Sequence, residues 1–423
     1  MGVLRPQREG FRRAWRARGA TGAAAIGLAL AGLAAPSSCN VYDESLRARH
    51  TLSAAGHGGA SADGGGIGGS GGEGDAGSGG SGGMTVPSKC TPVQPPAPAD
   101  ASGPSSGDIE LVAVVRQFNL SGTIGDGGAP PGTNFDVDGL CSCIDLAPTC
   151  NPPWPDAGYP CDDLTAVDNA LGSFFKTVSA LPIDVIASQA LSTGAFSLML
   201  DVKHYDGTPN DTQVTVTVFD LAGLSPSTPS DPDAGPPAPK WDGTDVWDVE
   251  SGSLASGADS KDPSLWLPRY TDGKAYVRDG VLVAHLTYVL PVGFPGIRNA
   301  LRVQQGLITA RIGDIGNGPE VLDGTLSGVA PAPDLLDVIG LFHITPDGPP
   351  LCLSTETAYA TLKSQACPFV DQRIAALGGD DTANFCNSFS LSLGFTASRG
   401  KLGAVRKRAP DNSCPVDSCD KLP

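Results

Sequence analysis

Between Phe196 and Lys203 successive side chains fall into two sets, Phe196, Leu198, Leu200 and Val202 on one side and Ser197, Met199, Asp201 and Lys203 on the other. A period of two marks a strand with one face in a core. A second run answers it. Val214, Val216 and Val218 alternate with Thr215 and Thr217, and Asp206 to Asp211 makes the turn between the two strands. Ile109 to Leu120 reads as a long, β-branched strand, and Phe389 to Phe395 alternates Phe and Leu with Ser and Gly. Asp279-Gly280, between Tyr276-Val277-Arg278 and Val281-Leu282-Val283, is a two-residue hairpin signal, because that pair tolerates the positive φ angles of a tight turn. The strand after it is expected to run through Leu290 to a stop at Pro291. Further strands are expected at Leu307 to Ile312 and Val321 to Leu326.

Helical spacing is confined to short stretches. Leu164, Val167, Leu171, Phe174, Phe175 and Val178 recur at three and four residues, which predicts a helix capped by Asp162 or Asp163 and ending near Leu181. Pro333-Asp334 opens a second over Leu335 to Leu341. A third starts at Ser354 and carries Tyr359, Leu362 and Lys363. Strands with one apolar face need that face covered, so the chain predicts a mainly β fold: an antiparallel, jelly-roll-like β-sandwich with two or three short helices.

The first hundred residues follow a different pattern. Six arginines between Arg5 and Arg18 precede a small, apolar stretch from Gly19 to Pro36, the layout of an export signal over residues 1–38. Cys39 follows Pro36-Ser37-Ser38, and a Gly/Ser run extends from Gly56 to Gly83. Signal, cysteine and spacer in that order predict lipidation of Cys39 and attachment to the cell envelope, at the outer membrane or cell surface. Pro36 stands where a Leu-like residue is usual, and cleavage around Leu33-Ala34-Ala35 is the alternative. Residues 39–107 have no hydrophobic period and are expected to be a disordered tether, Pro-rich from Pro87 to Pro104. About 45 flexible residues would reach on the order of 35–40 Å. The β domain is then 108–400, followed by a tail, 401–423, expected to be poorly packed and pinned by disulfides.

Charge narrows the partners. Removing residues 1–38 takes away six Arg and one Glu, leaving 22 basic and 44 acidic residues. Nucleic acid is disfavoured, since phosphate binding needs surplus Lys and Arg. Apart from Cys39, the cysteines are ten: Cys90, Cys141, Cys143, Cys150, Cys161, Cys352, Cys367, Cys386, Cys414 and Cys419. An even set in an exported chain predicts disulfides over zinc, for which CxxC pairs are lacking. If the four between Cys141 and Cys161 pair among themselves, Cys90 must join a cysteine in the C-terminal third, tying the start of the domain to its end.

Candidate chemistry is thin. Asn134, Asp136, Asp138 and Asp145 match the oxygen spacing of a calcium loop, although the first ligand is Asn and the last a short Asp; the competing reading is an Asp/Gly-rich turn. No cofactor is otherwise expected. Trp241, Trp247, Trp266 and Tyr270, among Asp242, Asp245, Asp248 and Asp259, could form a sugar-binding platform or could belong to a sheet core. His204, His285 and His343 stand singly, without metal-ligand spacing. A pair of hydrolytic carboxylates leaves no signature in a chain this acidic.

Cys39 with Asn40-Val41-Tyr42-Asp43-Glu44-Ser45-Leu46 and the Gly-rich spacer resembles predicted exported lipoproteins of myxobacteria with no assigned function. The resemblance extends to Asp168-Asn169-Ala170-Leu171, Tyr205 to Asp211 and Asp323-Gly324-Thr325-Leu326-Ser327-Gly328. It implies a location and a shared fold, and no reaction. The expectation is a surface-displayed binding or envelope-structural module, with carbohydrate as the ligand class. The alternative is a carboxylate-based secreted hydrolase acting on a polysaccharide.

Overall fold

The computed structural model describes residues 93–98, 107–119, 135, 150–151, 168–178, 183–225, 238–257, 259–286, 290–294, 297–313, 320–341, 349–353, 357–374, 384–407 and 414–420. The export signal, Cys39, the Gly-rich run and Asn134, Asp136, Asp138 and Asp145 lie outside these residues, as do Cys90, Cys141, Cys143, Cys161 and His343.

In chain order the elements are β1 (Ile109–Asn119), α1 (Ala170–Thr177), α2 (Ile183–Ser192), β2 (Ser197–Tyr205), β3 (Asp211–Leu224), β4 (Val246–Glu250), β5 (Leu254–Ser256), β6 (Leu267–Pro268) and β7 (Tyr270–Arg278). There follow β8 (Val281–Leu286), β9 (Leu290–Phe294), β10 (Ile297–Ile312), β11 (Glu320–Pro331), α3 (Ala332–Gly340), α4 (Ala358–Ala366), β12 (Ser388–Arg399) and β13 (Lys401–Arg406).

The sandwich expectation is corrected. β3 pairs with β7 from Asp211 to Val218, and this closes the sheet into a ring of antiparallel strands ordered β1-β2-β3-β7-β8-β10-β11-β12 and back to β1. Alternation says which face of a strand is buried; it does not say whether a second sheet or the same sheet, curled round, covers that face. β3 is long enough to serve two partners on one edge. Its first part joins β7, and Leu221 to Leu224 turn to β4, which carries β13 in parallel.

Cross-strand register runs one apolar face round the ring. Leu200 stands opposite Ala113 and Val218, Leu282 opposite Val277 and Ala310, Leu326 opposite Ile308 and Leu393, and Phe395 opposite Phe118. These residues are buried in one continuous cluster that Leu171, Phe174, Leu191, Leu335, Leu336 and Leu362 of the helices join. Lys203, Lys274, His285, Arg311 and Asp323 occupy the other face and are exposed. Apolar inside and charged outside is the reverse of a barrel that faces lipid with its outer wall. Among the described residues no helix is long and apolar enough to cross a membrane.

Part of the outer face is apolar too. Val114, Met199, Phe219 and Leu221 lie under Trp247, Val249, Leu254 and Trp266 in a second cluster, so Met199, in the polar set of its strand, has an apolar neighbourhood after all.

Local corrections have local causes. α1 begins at Ala170 and its cap is Asn169, not Asp162 or Asp163: the Asn169 side chain accepts from Gly172 N at 3.0 Å. The same Oδ1 accepts from Ser392 N at 3.1 Å, and Asp371 Oδ1 accepts from Ser390 N at 2.7 Å. Both groups cover the edge of β12 that β1, paired only from Gly394 onward, leaves open. Pro291 does not end a strand; it lies within β9, which among the described residues pairs with β10 alone, where a missing N–H costs little. The turn at Asp279-Gly280 is as expected, with φ of 51° and 77°. The tail is not poorly packed throughout, because β13 is a strand whose Leu402 and Val405 pack on the second cluster.

Candidate functional site

On the outer face, Glu110 of β1 and Asp201 and Lys203 of β2 come together because residues two apart on one strand, and opposite one another on two, share a face. Lys203 Nζ lies 3.3 Å from Glu110 Oε1 and 3.1 Å from Asp201 Oδ2. Asp201 is buried, and its Oδ1 has no hydrogen-bond partner. Burial pushes the Asp201 carboxyl above the ordinary carboxylate range, against the pull of Lys203 and with help from the nearby Glu110 charge. For Lys203 burial acts downward, but Asp201 and Glu110 outweigh it and the ammonium is held more basic than usual.

A buried acid with a raised pKa beside an exposed carboxylate is the pairing that glycoside hydrolysis uses. Here the space between them is taken. The ammonium touches both carboxyls where a glycosidic oxygen or a water would have to stand, so the arrangement as built is a bridged ion pair.

Other carboxylates organise turns. Asp211 Oδ2 accepts from Asp206 N at 2.8 Å and its Oδ1 from Gln213 N at 3.1 Å, while Asp206 Oδ1 accepts from Thr208 N at 2.7 Å. This turn locks onto the next hairpin: Gly280 N donates to Pro209 O at 2.8 Å and Asp279 N to Asn210 Oδ1 at 3.0 Å. Asp245 takes the N–H groups of Lys240 and Trp241, and Asp242 and Asp262 each accept from a residue two further on. Hydrogen bonds from Thr244 and Ser264 hold those last two carboxyls below their ordinary range.

The aromatic platform is overturned. Trp247 is 0% exposed, Trp266 8% and Tyr270 9%. Trp241 is half-buried, with its ring centroid 5.3 Å from that of Trp247 at an interplanar angle of 34°. Trp241, Trp247 and Trp266 belong to the outer cluster and Tyr270 to the barrel core. They are split between two interiors because β7 enters the ring just where the β5–β6 excursion leaves it. The Trp266 indole N–H donates to Ser260 O at 3.0 Å, a satisfied core contact.

A third constellation carried no sequence signal. Lys363 of α4, 4% exposed, donates to Asp417 Oδ1 at 2.7 Å, and the Tyr359 hydroxyl donates to Asp417 Oδ2 at 2.9 Å. Burial first, then Asp417, raises the Tyr359 phenol far above its ordinary range. Burial works to raise Asp417 as well, but Lys363, Ser418 N–H and Tyr359 outweigh it and hold that carboxyl low. Lys363 and Tyr359 are legible as a helix face; their partner stands 54 and 58 residues away.

Two disulfides flank this cluster, Cys352–Cys414 and Cys367–Cys419, and a third, Cys150–Cys386, joins residues 236 apart. The expected grouping is therefore corrected. Cys150 does not pair within its own loop, and all five C-terminal cysteines are occupied, so Cys90 has no partner among them. Covalent closure across the domain comes from Cys150 instead.

His204 and His285 are exposed and apart from one another on β2 and β8. Among the described residues no group of three His, Cys, Asp or Glu is placed to hold a metal ion. No protein-family model, curated protein or solved structure matches the chain.

Proposed function

We propose that the chain is an exported, disulfide-held β-barrel module that works outside the cytoplasm as an envelope-structural or binding component. One observation supports this best: the charged clusters built by the fold are spent on the fold. Lys203 bridges its carboxylates, Lys363 and Tyr359 hold Asp417, and Asp334 accepts from Arg302 Nε at 2.7 Å. A lipid on Cys39 would attach the module to the outer membrane or cell surface, as in the myxobacterial lipoproteins that the sequence resembles. Cell-surface carbohydrate is the ligand class, met by the polar outer wall around Glu110, Lys203 and Thr215 and not by stacked aromatics. The net acidity argues against nucleic acid.

Cell fractionation tests the attachment. The native protein should sediment with membranes and a Cys39→Ala variant should not; native protein found free in the soluble fraction would contradict it. The raised carboxyl of Asp201 supports a second reading, hydrolysis with Asp201 as acid and Glu110 as base. In that case Glu110→Gln should cut the release of reducing ends from envelope polysaccharide at least a hundredfold. The first reading expects no such release from the wild type.

A further inference from the structure

Outside the barrel, one transverse row is shut away from water. Tyr276 stands opposite Val283, Val283 opposite Thr309, and Thr309 opposite Thr325, crossing β7, β8, β10 and β11. All four lie on the outer face, and exposure falls between 0% and 7% along the row. At its Tyr276 end the row meets Val93–Pro98, from the stretch read as tether: the Tyr276 hydroxyl donates to Pro96 O at 2.6 Å.

We propose that this row is a seat for an extended, proline-rich strand, and that its occupant is the chain's own Val93–Pro98. Three observations carry the assignment. The first is chemical: a Pro-rich strand has few N–H groups and makes no internal hydrogen bonds, so its carbonyls need donors. The row supplies hydroxyls: that of Tyr276 meets Pro96 O, while those of Thr309 and Thr325 are buried and make no hydrogen bond to Val93–Pro98. The second is burial: Val93, Pro95 and Pro96 are half-buried while Gln94, Ala97 and Pro98 are exposed, so one side of the segment is covered. The third is length: six residues at ~3.1 Å each span about 16–19 Å, and four adjacent strands span about 14 Å. A strap seated along the row would fasten the chain at Val93–Pro98, on the flank of β7, ahead of its entry into β1.

Tyrosine nitration of the full chain, mapped by mass spectrometry, tests the seat without touching the barrel. Tyr276 should react at least tenfold more slowly than in urea-unfolded chain. The double substitution Pro95→Gly and Pro96→Gly, made in the strap alone, should speed its nitration at least fivefold, and an excess of a synthetic peptide covering Thr91 to Ala101 should slow it again. In Tyr276→Phe, whose ring still packs, the Gln94 and Ala97 amides should exchange with solvent several times faster than in the wild type. Unchanged nitration in the double variant would overturn the proposal, since something else would then cover the ring. Protection that fades on dilution would overturn it as well, by assigning the strap to a second copy.

Discussion

Two pieces of the C-terminal region are fastened in opposite ways. β13 pairs backbone to backbone with β4, presses Leu402 and Val405 on the outer cluster, and places Arg406 against the buried carboxylate of Asp248, which also accepts from Ser225 Oγ at 2.6 Å and Ala404 N at 3.1 Å. It carries no covalent link. Residues 414–420 form no strand, and there Cys352–Cys414, Cys367–Cys419 and the Lys363–Asp417 pair replace the ladder. A segment that can join a sheet is held by many weak bonds; one that cannot needs covalent and ionic fasteners, the solution suited to a compartment that keeps thiols oxidised.

Breaking the covalent half should cost most. Replacing Cys367 and Cys419 by Ser should lower unfolding free energy by about 2–5 kcal/mol in urea titration and make residues 414–420 accessible to protease, with β13 still protected. Next is Asp417→Ala, which strands a buried ammonium and should cost about 3 kcal/mol; Lys363→Met in the same background should recover most of it, because a buried pair is worth little more than an apolar substitute. Arg406→Ala should cost about 1–2 kcal/mol, since Asp248 keeps its two other donors.

Acid offers a comparison within one protein. Asp417 is held below its ordinary range, so its contribution to stability is present above the unfolded value of 3.8 and is lost as pH falls through the lower folded value. Asp201 is raised, so ionising it weighs against the fold at neutral pH, and this burden lifts as pH falls through its folded value. Acid unfolding curves of the wild type and Asp417→Asn should therefore converge below pH 3.8, whereas Asp201→Asn should differ from the wild type mainly at neutral pH. The smallest effect expected is that of Tyr359→Phe, about 1 kcal/mol for one hydrogen bond.

The sequence made strands and their faces legible, because alternation is written into residues two apart, as in Leu198, Leu200 and Val202. Closure was not legible. It depends on β3 meeting β7, Thr217 opposite Thr271, and nothing local to either strand distinguishes that neighbour from the opposing sheet of a sandwich. Strand ends were underestimated for a related reason: β10 begins at Ile297 and β11 runs to Pro331, through Gln, Ser and Gly positions whose pairing comes from the partner strand. α2 passed unnoticed beside the stronger strand signal that follows it. The Trp positions were visible, but burial is a property of what they pack against, here Val114, Met199, Phe219 and Leu221 of the barrel wall and Leu402 and Val405 of β13. Of the candidate sites, Glu110 and Lys203 could have been paired only with the β1–β2 register in hand.

Peptide mapping under non-reducing conditions, on protein alkylated before lysis of its native cells, bears most directly on a covalently fastened barrel displayed outside the cytosol. Linked peptides should join Cys150 to Cys386, Cys352 to Cys414 and Cys367 to Cys419. Alkylated, unlinked cysteines at these positions, or Cys150 joined to a neighbour in its own loop, would contradict it.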